Sequence, residues 1–222
     1  MRIFLSVISK MSAIFVRNRH SCLYFRRDRQ ECLYYVHTRR TGMFVLQYSH
    51  LKDYQLSHHE TQRTIKKYPL CLLANDFFVP MNVGSLFRIA DAFGVEKIYL
   101  CGDSPIPPNK KINKTARATV KAVDYEYQEI ALETVNKLKK DGYTIVSLEI
   151  TKHSIDIQDF EVRPADKICL IIGAESNGVA QELLEASDAV VHIPMFGQNS
   201  SMNVATATSV AVFEIVKNYF ST

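Results

Sequence analysis

From Pro69 onward the chain alternates short, wholly apolar runs with longer amphipathic stretches, and this alternation limits the possible folds more than any other feature. LCLLA (Leu70 to Ala74), KIYLC (Lys97 to Cys101), YTIVSLEI, KICLIIG and DAVVHIPM are each of strand length. A run that is apolar at successive positions offers no polar face to water, so it belongs to a strand covered on both sides. Between these runs lie segments of helical period: one from about Asn82 to Phe93 stopped by Gly94, EIALETVNKLKK stopped by Gly142, and a final one from about Met202 to Tyr219. The proline- and lysine-rich stretch GDSPIPPNKKINKT reads as a loop. Alternating β and α elements predict an α/β domain: a mostly parallel sheet with helices on both faces.

The front of the chain has a different texture. Residues 1–67 carry 13 Lys+Arg against 4 Asp+Glu, leaving 14 against 19 in the remainder, so the front is +9 and the rest is −5. Its apolar pieces, IFLSVISKMSAIFV and CLYYV, are short, broken by RNRH and FRRDR, and uncapped. Residues 1–65 are therefore expected to be a basic, poorly ordered extension, and residues 66–222 the folded domain. A basic arm beside a mildly acidic domain suits a polyanionic partner such as RNA. An Arg- and Ser-containing, acid-poor start also resembles a mitochondrial presequence, the alternative to a cytoplasmic protein.

Several classes are excluded. No apolar run approaches the roughly 18 residues needed to cross a bilayer, which argues against a membrane partner. Cys22, Cys32, Cys71, Cys101 and Cys169 are scattered without CxxC or Cys/His spacing, so they read as thiols of a reducing compartment and no metal is implied. No GxG occurs, which removes the dinucleotide fingerprint, and GAESNGVA lacks the GK[ST] of a P-loop.

Three segments are hard to explain as packing: PMNVGSLFRIADAFG (Pro80 to Gly94), LIIGAESNGV (Leu170 to Val179) and HIPMFGQNSSMNVATATSVAVFEIV (His192 to Val216). All three lie at strand ends, where open α/β sheets place ligands. The chain here resembles the SpoU/TrmH branch of the SPOUT RNA methyltransferases. That family's Asn-x-Gly-x3-Arg segment, Gly-x-Glu-x2-Gly turn and Ile-Pro-Met…Ser-[Leu/Met]-Asn-Val stretch occur in order over about residues 68–220. Met202, where Leu is commoner, and Ala205, where Ser is commoner, are the departures, together with Asn177 in the turn.

The resemblance implies a trefoil-knotted α/β domain that binds S-adenosylmethionine in the knot and methylates a ribose 2′-hydroxyl of RNA as a homodimer. It assigns the cofactor to the backbone of Gly173, Ile193 and Met202. It assigns the chemistry to Arg88; Asn82, Glu175, Ser201 and Asn203 read as the other active-site residues by their places at helix and strand ends, with an N-cap role for Asn82, a structural role for Glu175 and capping for Ser201 and Asn203 as the alternatives. A guanidinium with pKa above 12 serves better to hold a phosphate or a developing alkoxide than to act as a base. The last helix, apolar around most of its circumference, is expected at a subunit interface. A ribosomal RNA substrate would call for a discrete RNA-binding module at the N-terminus. Residues 1–65 look too irregular for one, so tRNA is the expected substrate and rRNA the alternative, with a catalytically silent RNA-binding protein as the rival from another class.

Overall fold

The structure, a computed structural model, describes residues 13–18, 21–27, 32–38, 42–48, 60 and 65–220, the first four segments by their backbone alone. The chain divides into two units, Met1–Arg63 and Thr64–Thr222.

In the first unit four strands, β1 (Ala13–Asn18), β2 (Ser21–Arg27), β3 (Cys32–Thr38) and β4 (Gly42–Tyr48), pair antiparallel in chain order. Asn18 stands opposite Ser21 and Thr38 opposite Gly42, the registers of hairpins. The strands fall on the short apolar pieces of the basic front. Each piece is rich in β-branched and aromatic residues, and in a meander a polar interruption marks the end of one short strand rather than the end of order. The remainder of residues 1–65, apart from Glu60 and Ile65, lies outside the described residues.

The second unit runs β5 (Tyr68–Asn75), α1 (Pro80–Phe93), β6 (Val95–Cys101), α2 (Lys110–Ala116), a 3-10 turn (Arg117–Lys121), β7 (Asp124–Gln128), α3 (Ala131–Lys140), β8 (Tyr143–Leu148), β9 (Ile155–Asp156), β10 (Lys167–Ile172), α4 (Gln181–Ala186), β11 (Ala189–His192) and α5 (Val204–Asn218). Its seven strands form one sheet in the order β7-β6-β5-β10-β8-β11-β9, and every pairing is parallel. Alternate residues of β5 serve opposite faces, as the period of a strand requires. Leu70, Leu72 and Ala74 join Ile98 and Leu100 in a core closed by Leu86 and Phe87 of α1 and Val212 and Ile215 of α5. Cys71 and Leu73 join Tyr99 and Ile171 in a second core under Val135 and Leu138 of α3 and Leu183 of α4. Cys71, Cys101 and Cys169 are buried free thiols, and burial pushes Cys71 up to about 11 and Cys101 up to about 12.

Four elements differ from the sequence reading. Helix α1 starts at Pro80, two residues before Asn82, because proline is preorganised for the first helical position and Val79 contributes no side-chain cap. The loop expected after β6 holds α2, opened by Asn109, whose side chain accepts from Lys111 N–H at 2.9 Å and Ile112 N–H at 3.3 Å. Strand β7, unassigned from sequence, follows at the sheet edge. Helix α5 starts at Val204, with Asn203 as its cap.

The strand order decides where a site can form. β10 is inserted between β5 and β8, and β11 joins the far side of β8. The carboxyl ends of β8, β10 and β11 therefore finish side by side, although 44 residues separate Leu148 from His192 in the chain.

Candidate functional site

A cavity of about 610 Å³ opens at those three strand ends, lined among others by Leu148, Ile172 and His192, their last residues. Six of the eight residues singled out from sequence line it: Gly173, Glu175, Ile193, Ser201, Met202 and Asn203. Asn82 stands behind the wall and Arg88 stands apart.

Glu175 ties the elements together. Its carboxylate accepts from Phe78 N–H at 2.9 Å, Val79 N–H at 3.2 Å and the Asn82 side-chain amide at 2.7 Å. These donors belong to the start of α1, where free N–H groups and the helix dipole favour an anion. Asn82, 8% exposed, passes the connection on, since its carbonyl accepts from the Asn203 amide at 3.2 Å. The Asn203 carbonyl in turn accepts from Ala205 and Thr206 N–H at 3.0 and 3.2 Å and caps α5. Burial raises the Glu175 carboxyl, but the hydrogen bonds from Phe78, Asn82 and Val79 outweigh it and hold the group below its ordinary value.

The Gly173–Val179 turn closes on itself through reciprocal bonds between Ala174 and Gly178, at 3.0 and 2.9 Å. A Cβ on Gly173 would lie 2.0 Å from the Gly178 carbonyl carbon and 2.2 Å from Val179 N. Glycine here is required by the approach of two backbone segments, a reason distinct from room for a cofactor. The turn has a second support that the sequence reading missed. Glu149, just past β8, accepts from Val179 N–H and Ile150 N–H, both at 2.9 Å, and lines the cavity. Its only sequence signal is its place at the end of an apolar strand. His192 is also new: among the described residues its buried Nδ1 has no hydrogen-bond partner, and the residue lines the cavity.

Arg88 lies six residues beyond Asn82, so about 9 Å along α1 and turned well away from it. It is exposed, and among the described residues no hydrogen bond or ion pair engages it. The surface salt bridge that would make it an ordinary helix arginine is absent from those residues. Ser201 is exposed at the cavity and does not cap α5. Ala207 of α5 lines the cavity as well.

The chain matches the SpoU rRNA Methylase family over residues 69–213. It is 32% identical over 166 residues to a 23S rRNA (guanosine-2'-O-)-methyltransferase, RlmB, of Blochmanniella floridana, covering 75% of this chain and 63% of that protein. The chain thus spans less than two thirds of that relative's length. Among solved structures, the A. aeolicus TrmH/SpoU tRNA modifying enzyme superposes with a TM-score of 0.63 at 25% identity, over 69% of this chain and 77% of that one. The AdoMet-bound rRNA methyltransferase of Sinorhizobium meliloti shares the fold, with a TM-score of 0.64 at 23% identity, over 69% of this chain and 57% of that one. The fold is the α/β SPOUT class that the resemblance implied.

Two outcomes test the site's construction. Because the Glu175 carboxyl sits below its unfolded value, its contribution is fully present above the ordinary carboxylate range and is lost as pH falls through the lowered folded value. Glu175→Gln replaces one acceptor oxygen by a donor facing donors, at a cost of about 1–3 kcal/mol at neutral pH. Thermal melts across the acid range should show the variant less stable at neutral pH and closer to wild type in acid; parallel curves would show that the carboxylate carries no such charge-dependent role. Gly173→Ala should cost about 2–3 kcal/mol by forcing the turn apart, read as a lowered urea midpoint; an unchanged midpoint would show that the backbone approach is not tight.

Proposed function

Since the chain belongs to the SpoU rRNA methylase family, we propose that it transfers a methyl group from S-adenosylmethionine to a ribose 2′-hydroxyl of RNA. The observation that carries this reading is the cavity at the ends of β8, β10 and β11, walled by the second and third motifs and tied to Asn82 of the first through Glu175 and Asn203. The cavity suits the cofactor. Its volume is within the range of small-molecule sites, Ile172, Val179, Met195 and Met202 give it apolar walls, and the unpartnered Nδ1 of His192 is a polar atom in need of a ligand group. Gly173, Ile193 and Met202 would hold the cofactor by their backbone. S-adenosylmethionine supplies a methyl group on a sulfonium, ready for in-line attack.

What remains for the protein is to orient the hydroxyl and to ease the loss of its proton. Arg88, exposed and unengaged among the described residues, is free to meet an RNA phosphate or the developing alkoxide. Glu175 and Asn82 act as positioning residues, because the Glu175 oxygens are already occupied by α1 and leave it poorly placed to take a proton. Asn203 fixes the entry of α5, and the Ser201 hydroxyl, without a partner among the described residues, is available to the substrate.

For the substrate we favour ribosomal RNA. The tRNA expectation rested on an irregular front; strands β1–β4 weaken that ground, and the relative named for 23S rRNA supports the alternative. The tRNA reading keeps the support of the A. aeolicus enzyme. The +9 front would add phosphate-binding charge in either case. The relatives named above are bacterial, which supports a cytoplasmic setting over the mitochondrial one. Among the described residues no helix is long and apolar enough to cross a membrane.

A homodimer follows from the same reading. On α5, Val210 is 38% and Phe213 54% exposed, and Phe213 meets Phe93 of α1 edge-on at 6.1 Å. An apolar strip of this kind on a packed helix pair is best covered by a second copy.

Arg88→Lys should keep cofactor affinity in calorimetry and lose most methyl transfer to bulk RNA carrying unmodified sites, because a point charge cannot reproduce a planar fork of donors. Near-normal turnover would remove Arg88 from the chemistry, and a wild type that binds no S-adenosylmethionine would end the reading. Phe213→Glu should shift the protein from dimer to monomer in light scattering; a wild type that is already monomeric at micromolar concentration would refute the interface.

A further inference from the structure

We propose that α2, the 3-10 turn after it and the outer face of β7 form a landing surface for single-stranded RNA, an inference that rests on the methyltransferase reading. Residues 110–121 contain Lys110, Lys111, Lys114, Arg117 and Lys121 and no carboxylate, within a part of the chain whose net charge is −5. All five are exposed, and among the described residues none has a carboxylate within ion-pairing distance. Cations gathered against the local charge balance, and left unpaired, hold a potential that suits a phosphate backbone.

The surface is held in a fixed position beside α1. A Cβ on Gly84 would lie 2.7 Å from Thr115 Cβ and 2.8 Å from the Ile112 carbonyl, so α2 rests directly on α1 at that point. Arg88 is four residues from Gly84, one turn along the same side of α1. The proposed catalytic cation and the α2 cations thus border one seam. Arg117 adopts φ 56° and ψ −127°, a conformation that a non-glycine residue holds only at a cost.

The second observation is aromatic. β7 is an edge strand, and its Tyr125 and Tyr127, 37% and 44% exposed, are two residues apart and so share a face. Tyr125 meets Phe87, the neighbour of Arg88, edge-on at 5.3 Å, which puts that face on the side of α1. The carboxylates of β7 are engaged, Asp124 with Lys67 and Glu126 with Lys97, and α1 contributes a single acid, Asp91. Rings presented to solvent among unpaired cations can take unstacked bases while the cations track phosphates, the combination by which proteins hold single strands. A duplex would bury its bases away from these rings, and an acidic protein partner would leave the rings without a role.

The test uses the full chain, with a fluorescein-labelled single-stranded RNA of mixed sequence, by anisotropy over a salt series, and calorimetry with S-adenosylmethionine on the same preparations. Lys111→Gln/Lys114→Gln/Arg117→Gln should flatten the log–log salt slope by about 2, near 0.7 for each lost phosphate contact. Tyr127→Ala should weaken binding about tenfold with its slope unchanged, the signature of lost stacking. Lys137→Gln/Lys140→Gln, on α3 against the opposite face of the sheet, should change neither. A triple variant with wild-type slope and affinity would overturn the proposal, as would an equal loss from the α3 pair or a Tyr127 variant that binds as wild type. Cofactor affinity should be unaltered throughout. A wild type that binds RNA through these residues but takes no S-adenosylmethionine would overturn the methyltransferase reading while the surface stood.

Discussion

The carboxylate of Glu175 accepts three hydrogen bonds from donors 93 to 97 residues away in sequence, and the candidate site depends on that convergence. Through Asn82 the same connection reaches Asn203 and the first N–H groups of α5. Three segments far apart in the chain are thereby held at one point, each satisfying polar groups that would otherwise stand unpaired at a helix start. The arrangement is mutually supporting. The carboxylate stays ionised because it is surrounded by donors, and the donors are ordered because the carboxylate stays ionised.

The sheet makes this convergence available. With β10 between β5 and β8, the turn after β10 emerges next to the start of α1, which follows β5, and next to the chain after β8. Glu149 then props the turn from one side and Glu175 anchors it on the other. The turn itself is so tight that Gly173 has no space for a side chain. A cavity walled by such a turn is set largely by backbone, and Arg88 lies outside it on the exposed side of α1.

Charge is divided accordingly. The cavity is lined mostly by apolar and small groups, while the cations of residues 110–121, without ion-pair partners among the described residues, lie on α2, which packs against α1, and on the turn after it. A small, partly apolar cofactor and a long polyanion would then meet different surfaces that share one helix, α1. The division also explains why a formally acidic region can still suit RNA: its net charge counts residues, whereas a phosphate senses the local cluster.

The sequence by itself determined the class of fold, because runs such as LCLLA and KICLIIG leave no polar face and must be strands covered on both sides. It also singled out eight positions, six of which line one cavity. It was blind to α2, whose lysines and preceding prolines resemble a loop until Asn109 is seen to cap it, and to β7 and the strands of the front. Only the tertiary structure decided that Glu175 is held by α1, that Glu149 and His192 belong to the cavity, that Ala207 faces it, and that Gly173 is fixed by its own turn. The physical reason is one of range. Hydrophobic period and capping are local and can be read along the chain, whereas a buried carboxylate takes its partners from whatever segments the strand order brings within hydrogen-bond distance.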